Sequence, residues 1–271
     1  SDVCNLAKSS LNTKPVETND YDVVLDYYAS IGLLNTFLNA FDGENVLRGR
    51  SILKEKLGQE ITSPSLSITD NPLLEKGMYT SKCDGEGSVS QKTDLIKDGI
   101  LNSFIYDIYT ANKADTKTTS NGLRGTYITT PTISPTNLEF KFDEMKDLSE
   151  IEEGVLTTSV LGAHTANPIS GDFSVEASNA FKIENGEVAY PIKKAMISGN
   201  IFEIMKGVEG LEEAEILEII DHHNLGSITT SMPVNFRNMA VGSTCTIVYT
   251  MYKEKDMEIP KEIAGMLLSG I

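Results

Sequence analysis

Phe181-Lys182-Ile183-Glu184-Asn185-Gly186-Glu187-Val188-Ala189-Tyr190 reads as two strands joined by a two-residue turn. Asn and Gly accept the positive φ that such a turn requires, and the triplets Phe181–Ile183 and Val188–Tyr190 have strand composition. The same signal stands at Asp98-Gly99, between apolar runs within Leu95–Ile105. Outward from these hairpins the periodicity changes. Leu33, Leu34, Phe37, Leu38 and Phe41 recur at helical spacing, which predicts an amphipathic helix over Ala29–Phe41. Further helices are expected over Asn45–Leu57, Tyr106–Ala114, Glu144–Ile151 and from Asn200 to Gly207. Strands are expected over Tyr21–Tyr28, Ser65–Thr69, Leu138–Phe142 and Gly154–Leu161. Lys113–Pro135, rich in Thr, Ser, Gly and Pro, reads as a long functional loop. Hairpins and helices mixed in this way predict an α+β fold for residues 1–207. A short α/β fragment follows, with acidic helical sequence over Gly210–Glu218, a helix from Val241 to Tyr252 and another over Lys261–Ile271.

The 271 residues are 40% apolar and 23% charged, the composition of a soluble globular protein. Net charge is −16 and the pI about 4.6, a field that repels nucleic acid and anionic membranes. No apolar run approaches the roughly 18 residues of a membrane span. Ser1-Asp2-Val3-Cys4 has neither the basic nor the apolar region of a signal peptide. It also lacks an initiator Met, so the chain is expected to be trimmed or a piece of something longer. Cys4, Cys83 and Cys245 are widely spaced and odd in number, as reduced thiols of a cytoplasmic protein would be.

The order of short motifs carries more than any one of them. Gly43-Glu44-Asn45-Val46, Asp70-Asn71-Pro72, Asp84-Gly85-Glu86-Gly87 and Asp98-Gly99-Ile100-Leu101 come first. Tyr109-Thr110-Ala111, Ser120-Asn121-Gly122-Leu123-Arg124, Gly171-Asp172-Phe173-Ser174, Glu184-Asn185-Gly186-Glu187 and Ser198-Gly199-Asn200 follow. Over residues 1–207 this succession resembles the C-terminal domain of the TldD/PmbA family, on its PmbA (TldE) side. The resemblance implies an α+β domain from a two-subunit assembly. In that family the TldD-type subunit carries a zinc peptidase site and the PmbA-type subunit pairs with it. The family is linked to peptide processing and, by name, to modulation of DNA gyrase. A TldD-like subunit or a second copy is then the implied partner, with peptide as substrate through the complex and no cofactor in residues 1–207. The chain has no His-Glu-x-x-x-His or His-Glu-x-x-His, and His164 stands alone. A zinc peptidase needs two His one helical turn apart, with a third ligand and a base.

Within those motifs, Asn121 and Arg124 fit two roles. They hold a peptide carboxylate or backbone, since Arg grips a carboxylate bidentately, or they anchor a loop to its own domain or to a partner. Asp172 fits either a peptide-binding edge or a tight turn that places Phe173 in the core. Asp84 and Glu86 fit an acid pair or cation site, or a turn whose carboxylates bond backbone amides.

The last quarter has its own feature. Glu218-Ile219-Ile220-Asp221-His222-His223 follows an apolar run, and residues 209–271 resemble manganese-dependent inorganic pyrophosphatases of the DHH phosphoesterase group. That resemblance implies Asp221 and His222 as manganese ligands and His223 as the catalytic group facing phosphate. Two metals would then clamp the phosphoryl oxygens. The family's earlier His-x-x-x-Asp-x-Asp does not occur here, and the chain stops at Gly270-Ile271. Three readings follow for residues 1–207 and 208–271. One is a non-catalytic partner of a TldD-type peptidase. The second is a hydrolase fragment acting on pyrophosphate. The third is a composite of the two joined near Gly207–Gly210, with no activity of its own.

Overall fold

The computed structural model describes residues 10–211 and the backbone of two short strands beyond them. In chain order the strands are β1 (Asp22–Leu25), β2 (Leu66–Asp70), β3 (Thr93–Lys97), β4 (Ile100–Leu101), β5 (Gly122–Leu123), β6 (Thr132–Ile133), β7 (Leu138–Phe142), β8 (Met145–Lys146), β9 (Glu153–Leu161), β10 (Asp172–Glu184), β11 (Glu187–Pro191), β12 (Ala195–Asn200) and β13 (Gly210–Leu211). The architecture is α+β, with two principal sheets. One is antiparallel, in the order β4-β3-β2-β7. The other runs β1-β9-β10-β11, with β12 also on β10. There β1 is parallel to β9 while the remaining pairings are antiparallel.

The long strand β10 organises the second sheet. Its last residues pair with β9 on one edge and β11 on the other, and its first six pair with β12. Asn185 and Gly186 both have positive φ, as the sequence requires of the β10–β11 turn. A side chain at Gly186 would stand 2.5 Å from Ser149 Cα, so the turn fits only because the residue is bare. Asp98 and Gly99 make the β3–β4 turn in the same way.

The helix Tyr27–Leu38 begins where Asp26 accepts the Tyr28 N–H at 3.0 Å. It is continued by a 3-10 turn, Asn39–Phe41. Its apolar stripe buries Leu33 and Phe37. The Phe37 ring lies 5.2 Å from Phe41 and 5.7 Å from Phe202, centroid to centroid. The same continuous core holds Phe173 and Val175 of β10 and, from the antiparallel sheet, Leu66, Ile68, Leu95 and Ile96. β2 alternates for this purpose, with Leu66, Ile68 and Asp70 all facing inward.

Three expectations need correction. The helix expected over Asn45–Leu57 is only Gly43–Leu47. Gly49 turns the chain with a φ of +68°, and the Ser51 hydroxyl donates to the Ala40 carbonyl at 2.6 Å, drawing the next segment back onto the core. Glu144–Ile151 is not a helix but β8 and a 3-10 turn, Leu148–Glu150, closed by a capping box between Asp147 and Glu150. Gly210–Leu211, expected to begin a helix, is instead β13, which pairs in parallel with β8.

The chain divides into two compact units, residues 12–212 and residues 1–11 with 213–271. In the second, β14 (Glu218–Asp221) pairs in parallel with β15 (Asn235–Asn238). The helices expected after Val241 and after Pro260 lie outside the described residues, as do Cys4 and Cys245. Among the described residues no helix is long and apolar enough to cross a membrane.

Candidate functional site

Asp70, Thr93 and Leu138 stand in register at one end of the antiparallel sheet. Beyond that end lie its two long connections, residues 71–92 and 103–137, and a buried polar network fastens them together. Asp70, 1% exposed, is its centre. One carboxylate oxygen accepts the Thr136 N–H at 2.6 Å and the Thr136 hydroxyl at 2.8 Å. The other accepts from Asn121 Nδ2 at 2.6 Å. Burial pushes the Asp70 carboxyl above its ordinary value, against the opposing pull of these bonds from Asn121 and Thr136.

Asn121 is fully buried. Besides Asp70, its amide donates to the Ser134 carbonyl at 3.0 Å, and its oxygen accepts from the Thr119 hydroxyl at 2.7 Å. Both amide hydrogens are therefore committed inside the domain. Of its two roles, this geometry favours the loop anchor. Asp84 acts in a matching way in the adjoining loop. Its carboxylate accepts the N–H groups of Glu86 and Ser88, each at 2.9 Å, and that of Gly122 at 3.2 Å. Glu86 in turn accepts the Ile108 N–H at 2.8 Å. Asp84 is thus held by three backbone donors and Glu86 by one, the turn alternative of the sequence reading.

Arg124 is exposed. Its Nε donates to the Gly85 carbonyl at 2.7 Å and its Nη1 to the Thr129 carbonyl. No carboxylate among the described residues pairs with it. The guanidinium is thus fixed at the surface by two carbonyls, through Nε and Nη1.

Asp172 lies far along the chain at the start of β10, where Gly171 has a φ of +85°. Its carboxylate accepts from Asn200 Nδ2 at 2.9 Å and from the Ser170 hydroxyl at 2.7 Å, which hold it below its ordinary value. Phe173 beside it is in the core. Asp172 therefore closes a turn in the β1-β9-β10-β11 sheet. His164, exposed in a 3-10 turn, borders a hollow of about 420 Å³ with Asn35 and Asn39. Among the described residues no three His, Cys, Asp or Glu side chains come together as a metal site needs, so those residues do not fit a zinc centre. Asp221 ends β14, and His222 and His223 lie outside the described residues.

The sequence reading overlooked Asp70 and Thr136 as members of one site. The available signal was an Asp at an inward position of β2, directly before the breaker Asn71-Pro72. A carboxylate on a buried face calls for donors elsewhere in the chain.

Residues 18–248 match the family described as the PmbA/TldA metallopeptidase C-terminal domain. The chain belongs to this family. The PmbA/TldD match runs past Gly207 and through Asp221-His222-His223. The chain is 42% identical over 212 residues to the Methanocaldococcus jannaschii protein MJ0231, covering 78% of this chain and 50% of that one. It is 30% identical to the Escherichia coli metalloprotease PmbA, over 74% of this chain and 42% of the relative. The crystal structure of TldE from Thermococcus kodakarensis superposes with a TM-score of 0.72 at 28% identity, covering 79% of this chain and 49% of that one. A Thermotoga maritima protein described as a candidate modulator of a DNA gyrase superposes at 0.67 and 33% identity, covering 74% and 46%. The chain spans about half the length of the curated relatives it matches. These PmbA/TldD relatives give no support to a pyrophosphatase segment or a composite chain.

Proposed function

We propose that this chain is the PmbA/TldE-like, non-catalytic partner of a TldD-type zinc metallopeptidase that acts on peptides. The observation that carries the reading is the likeness to the PmbA/TldE side of the family, 30% identity to the Escherichia coli metalloprotease PmbA and a TM-score of 0.72 to TldE from Thermococcus kodakarensis. The most prominent polar cluster of residues 12–212, around Asp70 and Asn121, is spent on loop architecture. What it supports is a rigid set of surface loops, suited to holding another protein or its substrate. Arg124 contributes a fixed cation to that surface, suited to a peptide carboxylate or an acidic residue of the partner.

The test combines the purified chain with its cognate TldD-type subunit and zinc, and follows cleavage of an unstructured peptide. The expected result is cleavage by the pair and none by this chain with zinc, with the two co-eluting on gel filtration. Peptide cleavage by this chain alone, or a TldD-type subunit that neither binds it nor changes in activity, refutes the proposal.

A further inference from the structure

Resting on that reading, we infer that the loop cluster beyond the Asp70 end of the antiparallel sheet is the docking surface for the partner subunit. We further infer that the partner presents to it an apolar patch with an acidic rim.

Exposed apolar side chains are unevenly spread. Among the described residues the four most exposed are Tyr127 at 93%, Met78 at 80%, Val89 at 79% and Ile128 at 78%, and all four belong to these loops. The loops do not hang free. Arg124 ties the Tyr127–Ile128 turn to Gly85, Ser120 donates to the Val89 carbonyl at 2.7 Å, and Asn137 accepts the Tyr79 N–H at 2.9 Å. A preorganised surface of this kind loses little entropy on docking. Between the loops opens a hollow of about 440 Å³, bordered by Val89, Ile108 and Ala111 with Lys117 at its edge, large enough for a side chain of the partner.

Charge selects the occupant. The whole chain carries 39 Asp and Glu against 23 Lys and Arg. In residues 71–92 and 103–137 the balance reverses, with six cations (Lys76, Lys82, Lys92, Lys113, Lys117, Arg124) against five acids. Of the acids, Asp84, Glu86 and Asp107 are engaged by backbone N–H groups of the same loops. Lys92 in turn reaches Glu139 of β7 at 3.9 Å, so the face is near neutral in formal charge on a strongly acidic chain, and it is apolar with exposed lysines at Lys76, Lys82 and Lys117. A two-fold dimer of this chain through that face would bring the same Lys and Arg side chains of two copies together, whereas a different chain with an acidic rim meets them with opposite charge.

The experiment measures affinity of the full chain for its cognate TldD-type subunit by calorimetry, beside three variants. They are Tyr127→Ser with Ile128→Ser, Lys82→Glu with Lys117→Glu, and Met196→Ser on β12 as a control. The exposed positions leave folding intact, which an unchanged melting temperature verifies. The expected result is a loss of roughly tenfold or more for each of the first two, with a reduced salt dependence for the charge reversal, and no loss for the control. Variants that bind within about twofold of the parent, while the parent binds, overturn the docking surface and leave the proposed function standing. A parent that does not bind the TldD-type subunit overturns the function itself. A parent that instead dimerises through Tyr127 and Ile128 overturns the choice of occupant.

Discussion

Replacing Asn121 with Ala removes the side chain that joins Asp70 to the Ser134 carbonyl and the Thr119 hydroxyl, leaving Thr136 as the donor to Asp70. The Asp70 carboxylate loses its 2.6 Å donor in a site 1% exposed, and the Ser134 carbonyl loses its 3.0 Å donor. A buried group left without its partner costs about 1–3 kcal/mol, with charged groups at the upper end. Asp70 keeps its two Thr136 donors, so the lower end applies to each group, about 1 kcal/mol for the carboxylate and about 1 kcal/mol for the carbonyl, a loss of about 2 kcal/mol and still a large share of a domain's usual stability. The pH dependence separates this cause from simple cavity formation. Without the Asn121 donor the folded-state value of Asp70, already raised by burial, rises further. The ionised carboxyl then burdens the folded state most at neutral pH. The deficit shrinks as pH falls through the raised value, because a protonated acid no longer needs that donor. Urea denaturation of parent and variant at a series of pH values measures it. Hydrogen exchange should quicken in 120–137 and stay unchanged in the Tyr27–Leu38 helix. A loss under about 0.5 kcal/mol at neutral pH, or one that grows as the solution is acidified, would refute the reasoning.

Phe37→Ala, which empties a fully buried site between Phe41 and Phe202, should cost about 3–5 kcal/mol in the same denaturation assay. Gly186→Ala places a Cβ against Ser149 in a turn with a φ of +78°, and the left-handed backbone alone should cost about 1–2 kcal/mol. Asp172 and Asp70 should titrate on opposite sides of the ordinary 3.8 by carboxyl NMR, Asp172 below it and Asp70 above. Asp172 then contributes stability that is present above its unfolded value and lost as pH falls through its folded value, whereas proton uptake by Asp70 favours the folded state as pH falls. Asn200→Ala should return the Asp172 midpoint toward 3.8.

Where local chemistry decides the structure, the sequence was readable. Asn185-Gly186 and Asp98-Gly99 are turns because few other pairs tolerate both positive φ values, and Leu138–Phe142 is a strand from end to end. Where distant partners decide, it was not. Glu144–Ile151 has helical spacing, yet Met145–Lys146 is drawn into a strand by Gly210–Leu211. The Asn45–Leu57 pattern gives way to a turn because Ser51 finds the Ala40 carbonyl. The candidate site shows the same division. Asn121 and Arg124 stood out as residues of a special loop. Their partners, Asp70, Gly85, Ser134 and Thr129, come from segments that only folding brings together.

The pairing of β1 with β9 has a consequence for synthesis. Asp22 finds its place beside Gly154, about 130 residues later in the chain. At a ribosomal pace of about 5–20 residues per second, β1 waits on the order of ten seconds before the strand that receives it exists. It is only four residues long, and Asp20, Asp22 and Asp26 lie in or beside it. Brevity and negative charge make a waiting strand a poor template for other nascent chains, so the features that leave β1 modest in the finished sheet also guard it while the sheet is incomplete.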